Sequence, residues 1–262
     1  MNESEILPQI DRHCTDVLGE VGGPAMAALV RRGHTIAPVG GFDVPAGRSH
    51  LGGSPQLEPG TPWPEVEGIP LSLLAVLDTG ALAPWLGGDL PVRPGLLNFF
   101  YLDPDLPWSE YKHIDTEAPS AWRVIAADPE PAVSPLAPGA ARVYERRAVK
   151  ADPILTLPGN WEHAVGTLDL GPGKVPALEA MEIRTTWGPS APDDDKTSGH
   201  RAFGWPWLLQ GGVVGDGDVH LLQLDSDDHW MWGDVGVLYF TIPADALRAG
   251  DFSRAVCRMD CC

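Results

Sequence analysis

The chain has 262 residues and carries 36 acidic against 18 basic side chains, which gives a formal net charge of −18. Because like charges repel, this balance argues against nucleic acid and membrane surfaces as partners and favours a basic peptide or a metal cation. No apolar run approaches the roughly 20 residues that span a bilayer, and the start of the chain lacks the basic and apolar stretches of a signal peptide.

Glycine and proline are unusually frequent, with 30 and 27 residues. Because proline cannot donate a backbone hydrogen bond and both residues favour turns, this composition predicts short elements joined by many turns. The four cysteines are few for a chain of this length. We therefore expect a cytoplasmic protein with reduced thiols.

Residues 1–37 form a predicted N-terminal helical segment. Apolar residues from Ile6 to Leu18 lie near helical spacing, and the glycine pair at 22–23 is expected to end a first helix. Pro24 suits the first turn of a second helix, which is expected to end at the next glycine.

From residue 38 onward, short apolar runs bounded by Gly, Pro, Asp or Asn recur to the end, as in a sheet protein. The predicted strands are 71–77, 95–102, 122–127, 142–147, 220–224 and 235–242. The predicted loops are 103–117 and 187–197, and a short helix is predicted at 245–248. These elements predict an α+β fold, a predominantly antiparallel β-sheet with accessory N-terminal helices, in a β-rich domain over 38–256.

Three sequence features recur in the same order in the two halves of the chain. They are a Gly-x-Pro turn, a strand that ends in Asp and a Gly-led aromatic strand, and they occur at 53–55, 73–78 and 95–101 and again at 204–206, 221–225 and 236–242. This order predicts two β repeats, at about 50–106 and 200–247, related by a pseudo-twofold axis. The seam between such repeats is a natural place for a ligand-binding cleft.

Several longer stretches carry these features. They are HLGGSPQLEPGTPWP (50–64), GIPLSLLAVLD (68–78), GLLNFFY (95–101), FGWPWLLQ (203–210), LLQLDSDD (221–228) and MWGDVGVLYFTI (231–242). They resemble the YwqG-like family of bacterial proteins of unknown function, over about residues 38–256. The resemblance implies a mainly β fold with accessory helices and implies no activity. Family members usually have Gln before the strand-ending Leu-Asp or Ile-Asp in both halves; Gln223 keeps it, whereas Val76 replaces it.

Three carboxylates and one imidazole lie within five residues at 225–229. Oxygen-rich loops bind Ca²⁺ or Mg²⁺, and histidine can recruit a transition metal, so Asp225, Asp227 and His229 are candidate ligands of a divalent metal. The spacing departs from that of an EF-hand, which needs Gly at the sixth position and Glu at the twelfth. A solvated hairpin turn is the favoured alternative, and no cofactor is predicted.

Tryptophans and acidic residues cluster around this segment. Trp232 and Asp234 precede the last aromatic strand, Trp205 lies in the second Gly-x-Pro turn, and Gln223 and Asp225 end the strand between them. Aromatic side chains around a charged anchor can form a pocket, so these five residues are the predicted ligand-binding set. Core packing of the tryptophans and a turn-bracing role for the carboxylates are the alternative.

Residues 257–262 form a predicted tail that contains Cys257, Cys261 and Cys262. The spacing of the first two suits a pair of zinc ligands, but four ligands are not present locally. A frayed tail with free thiols is therefore the favoured interpretation.

The sequence contains no motif of a serine hydrolase, zinc protease, P-loop or dinucleotide-binding enzyme. We therefore expect a binding protein, with no predicted catalytic residue, that recognises a protein or peptide partner through a Trp- and acid-lined cleft; the charge favours a basic partner. An enzyme or metal-dependent small-molecule-binding protein that uses the cleft between the repeats is the alternative.

Overall fold

The structure, a computed structural model, describes residues 2–40, 43–90, 95–103, 105–106, 114–115, 118–189, 191 and 199–261. Much of the two predicted loops, at 103–117 and 187–197, lies outside the described residues. Cys262, one of the candidate thiols, also lies outside them.

The described residues form short strands and a few helices. The helices are α1 (Glu3–Ala27), α2 (Thr79–Leu86), α3 (His163–Gly166), α4 (Pro176–Glu179) and α5 (Ala244–Ala249), with 3₁₀ turns at Gly87–Asp89, Pro119–Ala121, Ala180–Glu182 and Phe252–Arg254. The strands are β1 (Arg31–Pro38), β2 (His50–Leu51), β3 (Glu65–Val66), β4 (Ile69–Pro70), β5 (Ser72–Asp78), β6 (Leu96–Tyr101), β7 (Trp122–Ala127), β8 (Arg147–Thr156), β9 (Thr186–Trp187), β10 (His200–Phe203), β11 (Asp218–Asp225), β12 (Val237–Pro243) and β13 (Val256–Asp260).

Helix α1 consists of two helical stretches that meet at Gly19, whose φ of 77° and ψ of −179° are not helical. The predicted pair of helices is therefore present, but the prediction that the glycine pair at 22–23 separates them is wrong, because the break lies at Gly19. A Cβ at Gly22 would lie 2.2 Å from the Leu170 side chain, so this glycine permits close packing and does not end the helix. The helix ends at Ala27, and the chain enters β1 at Arg31.

Five of the predicted strands overlap β5, β6, β7, β11 and β12, and the predicted short helix overlaps α5. The strand predicted at 142–147 is wrong, because β8 begins at Arg147 and continues to Thr156. Polar residues such as Lys150 and Asp152 interrupt β8, so it lacks the apolar run that identifies a buried strand. Strands β1 and β13 also contain charged residues and have no continuous apolar run.

One large sheet dominates the described part of the chain, and its neighbouring strands pair antiparallel. Its order is β13-β12-β11-β10-β1-β8-β2-β5-β6-β7, with β9 beside β8, while β3 and β4 form a separate pair. The two end strands approach each other: Trp122 Nε1 donates to the Ala255 carbonyl over 2.9 Å. The sheet is therefore nearly barrel-shaped, and the predicted β-rich, predominantly antiparallel fold with few helices is confirmed.

Apolar side chains from both halves of the chain fill the interior of this sheet as one continuous cluster. Phe99 of β6 and Phe240 of β12 pack edge to face with ring centroids 5.1 Å apart. A second cluster packs α1 against the end of β8. None of the helices that the structure describes is both long and apolar enough to cross a bilayer.

Candidate functional site

An ion-pair cluster lies where β8 and β10 begin. Arg147 Nη1 lies 2.5 Å from Asp227 Oδ2, and His200 Nε2 lies 3.2 Å from the same oxygen. The other carboxylate oxygen, Oδ1, accepts the His229 amide at 2.8 Å. Partial burial would raise the pKa of Asp227, but the hydrogen bonds from His200 and Arg147 outweigh burial and hold that pKa well below its usual range. The carboxylate therefore ties the segment after β11 to the starts of two strands.

The hydrogen bonds of His200 define its tautomer. Its Nδ1 accepts the backbone amide of Asp225 at 3.1 Å, so Nε2 carries the proton that Asp227 accepts. The Arg147 guanidinium lies 4.6 Å from the centroid of the Trp230 ring. Its Nε and Nη2 atoms are buried and have no hydrogen-bond partner within the described ranges.

Aromatic rings continue from this cluster across to the first half of the chain. Trp230 packs against Tyr144 and Trp232 with centroid distances of 5.4 Å each. Trp232 in turn packs edge to face on Tyr101 at the end of β6, with a centroid distance of 6.1 Å. These rings fill the space between the segment after β11 and β6.

The residues of the predicted ligand-binding set differ in their burial and in their hydrogen-bond partners, and a ligand at them stays a prediction. Trp205, Gln223 and Trp232 are buried, with 2%, 0% and 0% exposure. Trp205 Nε1 donates to the Leu29 carbonyl at 2.7 Å. Gln223 donates to the Gly199 carbonyl and accepts the Trp207 amide. Asp234 is exposed.

The three candidate metal ligands also have separate surroundings. Asp225 Oδ2 accepts the Gly199 amide at 2.9 Å, Asp227 faces Arg147 and His200, and the His229 side chain is exposed. Among the residues that the structure describes, no group of three His, Cys, Asp or Glu side chains is placed to hold a metal ion. A divalent metal at these residues stays a prediction.

A cleft of about 460 Å³ lies beside β13, where the two end strands of the sheet approach each other. Tyr101 and Trp122 from the first half contribute its aromatic wall, and Val256, Arg258, Met259 and Asp260 of β13 line the other side. Trp122 is anchored by its hydrogen bond to the Ala255 carbonyl. The cleft therefore lies between the halves of the chain, at the edge of the sheet and not in its interior.

Asp260 is the acidic group of this cleft. The residue is 3% exposed, and its Oδ1 accepts Arg258 Nε at 2.7 Å. Its Oδ2 is buried without a hydrogen-bond partner among the described residues. A buried carboxylate oxygen is stabilised by a donor, so this atom can accept one from a ligand.

Strand β13 has a strand neighbour, β12, on one side only within the part of the chain that the structure describes. Val256 and Met259 are 48% and 40% exposed on this end strand. An end strand offers backbone N–H and C=O groups along its open side, and such edges pair readily with another extended chain. The open side of β13 is thus a backbone template next to aromatic and acidic side chains.

The favoured interpretation of 257–262 as a frayed tail is wrong for most of its length, because β13 extends to Asp260. Cys257 is buried, and burial raises the pKa of its thiol well above the usual value. Sequence reasoning did not identify Tyr101, Trp122 or Asp260 as site residues. Nothing in the short pattern VCRMD indicates a strand, and the two aromatics read as ordinary core residues.

The family comparison agrees with the extent of the β-rich region. A model of a family described as a domain of unknown function, DUF1963, matches residues 49–261, which is most of the chain and includes both end strands of the sheet. A comparison with curated proteins finds no match. The chain therefore belongs to the DUF1963 family.

Proposed function

We propose that this protein is a cytoplasmic binding module that holds an extended, basic segment of a protein partner along the open side of β13. The observation that carries the proposal is the position of this end strand beside a cleft lined by Tyr101, Trp122 and Asp260. In strand addition, the main-chain hydrogen bonds provide affinity and the side-chain pockets provide specificity. The cleft supplies both kinds of contact.

Charge favours a basic segment. The chain as a whole carries −18, so it attracts cations at long range. Within the cleft, Asp260 Oδ2 is buried and lacks a donor among the described residues, so a Lys or Arg side chain of the partner would donate to it once Arg258, which pairs with Oδ1, moves aside. Tyr101 and Trp122 add aromatic faces that attract cations.

The exposed apolar side chains of β13 set a second requirement. Met259 would bury its exposed surface against apolar residues of the partner. Because side chains alternate along an extended chain, Met259 and Asp260 lie on opposite faces of β13, and we propose that basic and apolar residues alternate in the segment that binds.

The test uses three synthetic nonapeptides and the full chain: one alternates Lys and Val, the second has Glu in place of Lys, and the third has a central Pro. We expect the Lys/Val peptide to bind at least tenfold more tightly than either of the others, because Glu reverses the charge and Pro removes a backbone donor. Equal affinity for the Pro peptide would rule out strand addition.

Variants locate the binding. Val256→Lys places a positive charge on the edge strand and is expected to abolish binding of the Lys/Val peptide. Asp260→Asn is expected to weaken it about tenfold, a loss of about 1.4 kcal/mol. Glu20→Gln, which removes one exposed carboxylate from α1, is the matched control and should leave the affinity unchanged. If Glu20→Gln weakens binding as much as Asp260→Asn does, the attraction is unspecific.

We further propose that the two halves are copies related by a pseudo-twofold axis. The sheet order supports this: β1-β10-β11-β12-β13 on one side matches β8-β2-β5-β6-β7 on the other. Irregular register occurs at corresponding places, between Leu73 and Ala75 in β5 and between His220 and Leu222 in β11.

Backbone details support the same proposal. The strand-ending Asp78 accepts the Arg48 amide at 3.0 Å, and the strand-ending Asp225 accepts the Gly199 amide at 2.9 Å. The residue that precedes each Gly-x-Pro turn has the same backbone conformation in both halves, since Gly52 and Phe203 have φ values of 59° and 58°. A left-handed conformation at a phenylalanine is unusual, so its presence where the other half has glycine favours a shared backbone. The finer assignment to YwqG-like bacterial proteins remains part of this proposal.

A further inference from the structure

A pocket of about 380 Å³ lies at the start of β1 and shares none of its lining residues with the cleft beside β13. Three arginines line it: Arg31 and Arg32 from β1, and Arg248 from α5. The whole chain has only 18 Lys and Arg residues against 36 acidic ones. Three guanidinium groups around one pocket therefore oppose the overall charge of the protein.

Aromatic rings hold two of these guanidinium groups. The Arg31 guanidinium lies 3.6 Å from the centroid of the Trp205 ring, and Trp205 is anchored by its hydrogen bond to the Leu29 carbonyl. The Arg32 guanidinium lies 5.7 Å from the centroid of the Trp85 ring. Stacking on a ring orients a guanidinium so that its in-plane N–H groups can donate to an anion. In Arg32, Nε and Nη2 donate to the Glu3 carboxylate.

Arg248 completes the set from α5. It is exposed on α5 and forms no ion pair or hydrogen bond within the described ranges. An exposed arginine that lines a pocket can close on a ligand without first breaking an internal contact. Arg248 is therefore the residue through which binding can be tested without disturbing the fold.

Acidic groups near the pocket neutralise its charge only in part. Glu3 forms an ion pair with Arg32 at 3.0 Å. Glu162 contributes a negative field at Arg31, but burial raises the pKa of Glu162 to about 7 even though it accepts the Val213 and Val214 amides. Glu3 and Glu162 therefore offset part of the positive charge of the three arginines.

The rest of the wall is apolar or small. Phe203, Val219 and Ala244 contribute apolar surface, and Gly88 and Gly204 contribute backbone. A volume of about 380 Å³ is within the range of pockets that bind small molecules, about 300–1,000 Å³. The pocket can therefore enclose a small organic group next to an anionic one.

We propose that this pocket binds a small molecule that carries a phosphate group, with Arg31, Arg32 and Arg248 around the phosphate oxygens. Arginine pairs with phosphate through two parallel N–H···O bonds, and several arginines are needed to match a group of high charge density. A carboxylate group offers two oxygens and one negative charge, so even a molecule with several carboxylates spreads over many atoms the charge that a phosphate concentrates at one centre. The binding of peptides beside β13 does not depend on this pocket.

The experiment is a calorimetric titration of the full chain at low salt with inorganic phosphate, pyrophosphate and, as a carboxylate comparison, citrate. We expect saturable binding of pyrophosphate, weaker binding of phosphate and at least tenfold weaker binding of citrate. Absence of saturable pyrophosphate binding overturns the proposal. Citrate binding as tight as that of pyrophosphate also overturns it, because the pocket would then be a general anion site.

Two matched variants place the ligand. Arg248→Ala is expected to weaken pyrophosphate binding at least tenfold. Arg146→Ala removes the same charge from an exposed residue that lies next to β2, at the opposite end of β8 from the pocket, and should leave the affinity unchanged. Equal losses in the two variants overturn the assignment, because long-range attraction would then account for the binding.

Discussion

The two Gly-x-Pro turns of the chain have the same backbone geometry, but different side chains hold them. In the first half, His50 Nδ1 donates to the Gly52 carbonyl at 2.8 Å. In the second half, the carbonyl at the corresponding place belongs to Phe203, and it is His220 Nδ1 that donates, at 3.1 Å. His50 precedes its turn on β2, whereas His220 lies on the neighbouring strand β11.

The backbone amides that follow the two turns also have hydrogen-bond partners from different strands. Asn98 Oδ1 accepts the Gln56 amide at 2.7 Å, and Gln223 Oε1 accepts the Trp207 amide at 2.8 Å. Asn98 lies on β6 and is the cross-strand partner of Val76, the residue that stands where the first half lacks Gln. A buried amide is therefore present at both turns, but the neighbouring strand supplies it in the first half.

This difference shows that each half must provide hydrogen-bond partners for the backbone groups of its turn. Buried backbone groups need partners, and a partner can come from either of two adjacent strands that face the same turn. The loss of Gln at Val76 is thus compensated by Asn98 and need not mean that a binding function was lost. Gln223 likewise serves the backbone of its own turn, and its role toward a ligand stays a prediction.

Acid is expected to give the largest effect, because each turn depends on an uncharged histidine. Burial lowers the pKa of His34, His50 and His220 from 6.5 to about 4. Their contribution to stability is fully present above pH 6.5 and is lost as the pH falls to about 4, by about 3 kcal/mol for each residue. Glu162 opposes them, since its raised pKa makes its contribution largest below pH 4.5 and removes it as the pH rises to about 7.

Urea denaturation between pH 4.5 and 7.5 measures this balance. Three histidines against one glutamate predict that the unfolded state binds about two more protons between pH 4.5 and 6.5, so the free energy of unfolding falls steeply with acid. His220→Gln should reduce the slope by about one proton. A slope that is flat, or that rises toward acid, would show that the histidines are not held neutral.

Removal of the turn amides comes next. Gln223→Ala removes the acceptor of the Trp207 amide and the donor to the Gly199 carbonyl, and Asn98→Ala removes the two hydrogen bonds to the backbone of Gln56. Each change is expected to cost about 3 kcal/mol in the free energy of unfolding, from unpaired polar groups and the cavity.

A sharper test asks whether an amide placed on β5 can replace the one removed from β6. Val76→Gln, combined with Asn98→Ala, places an amide on β5 as in the second half, and we expect it to restore part of the lost stability. The same two changes measured by urea denaturation should be non-additive. Simple additivity would mean that the two positions do not serve the same turn.

The turn glycines are expected to differ by a smaller amount. A Cβ at Gly204 would lie 2.6 Å from Thr156 Oγ1, which accepts the Trp205 amide, whereas a Cβ at Gly53 would meet the side chain of Arg146 at 2.8 Å. Because the long arginine side chain can move more easily, Gly204→Ala should cost about 2 kcal/mol and Gly53→Ala about 1 kcal/mol. Thermal or urea denaturation measures both, and the reverse order would contradict this account.

The smallest effect concerns the segments that follow the strand-ending Asp residues. After Asp78 the chain forms α2, but after Asp225 it forms an irregular segment in which Val235 has a φ of 52° and is 59% exposed. The left-handed region is costly for a β-branched residue, so Val235→Gly should stabilise the protein by about 1 kcal/mol. A loss of stability in urea denaturation would indicate that Val235 makes a contact that matters more than its backbone strain.

The sequence predicts those parts of this molecule in which local pattern decides structure. Strands such as β5 and β12 are continuous apolar runs, and the Asp residues at the ends of β5 and β11 mark turns. It does not predict the cluster of Arg147, Asp227 and His200, because these residues meet only after β8 and β10 align on either side of β1. The cleft is missed for the same reason, since its walls come from opposite ends of the sheet.

The proposed use of the β13 edge is tested most directly by hydrogen exchange. Amides of 256–260 should exchange severalfold more slowly when the alternating Lys/Val peptide is added to the full chain, while amides of α1 should be unaffected. This pattern would place the peptide as an added strand. Unchanged exchange in β13 at saturating peptide, or slowing spread evenly over the protein, would contradict the account.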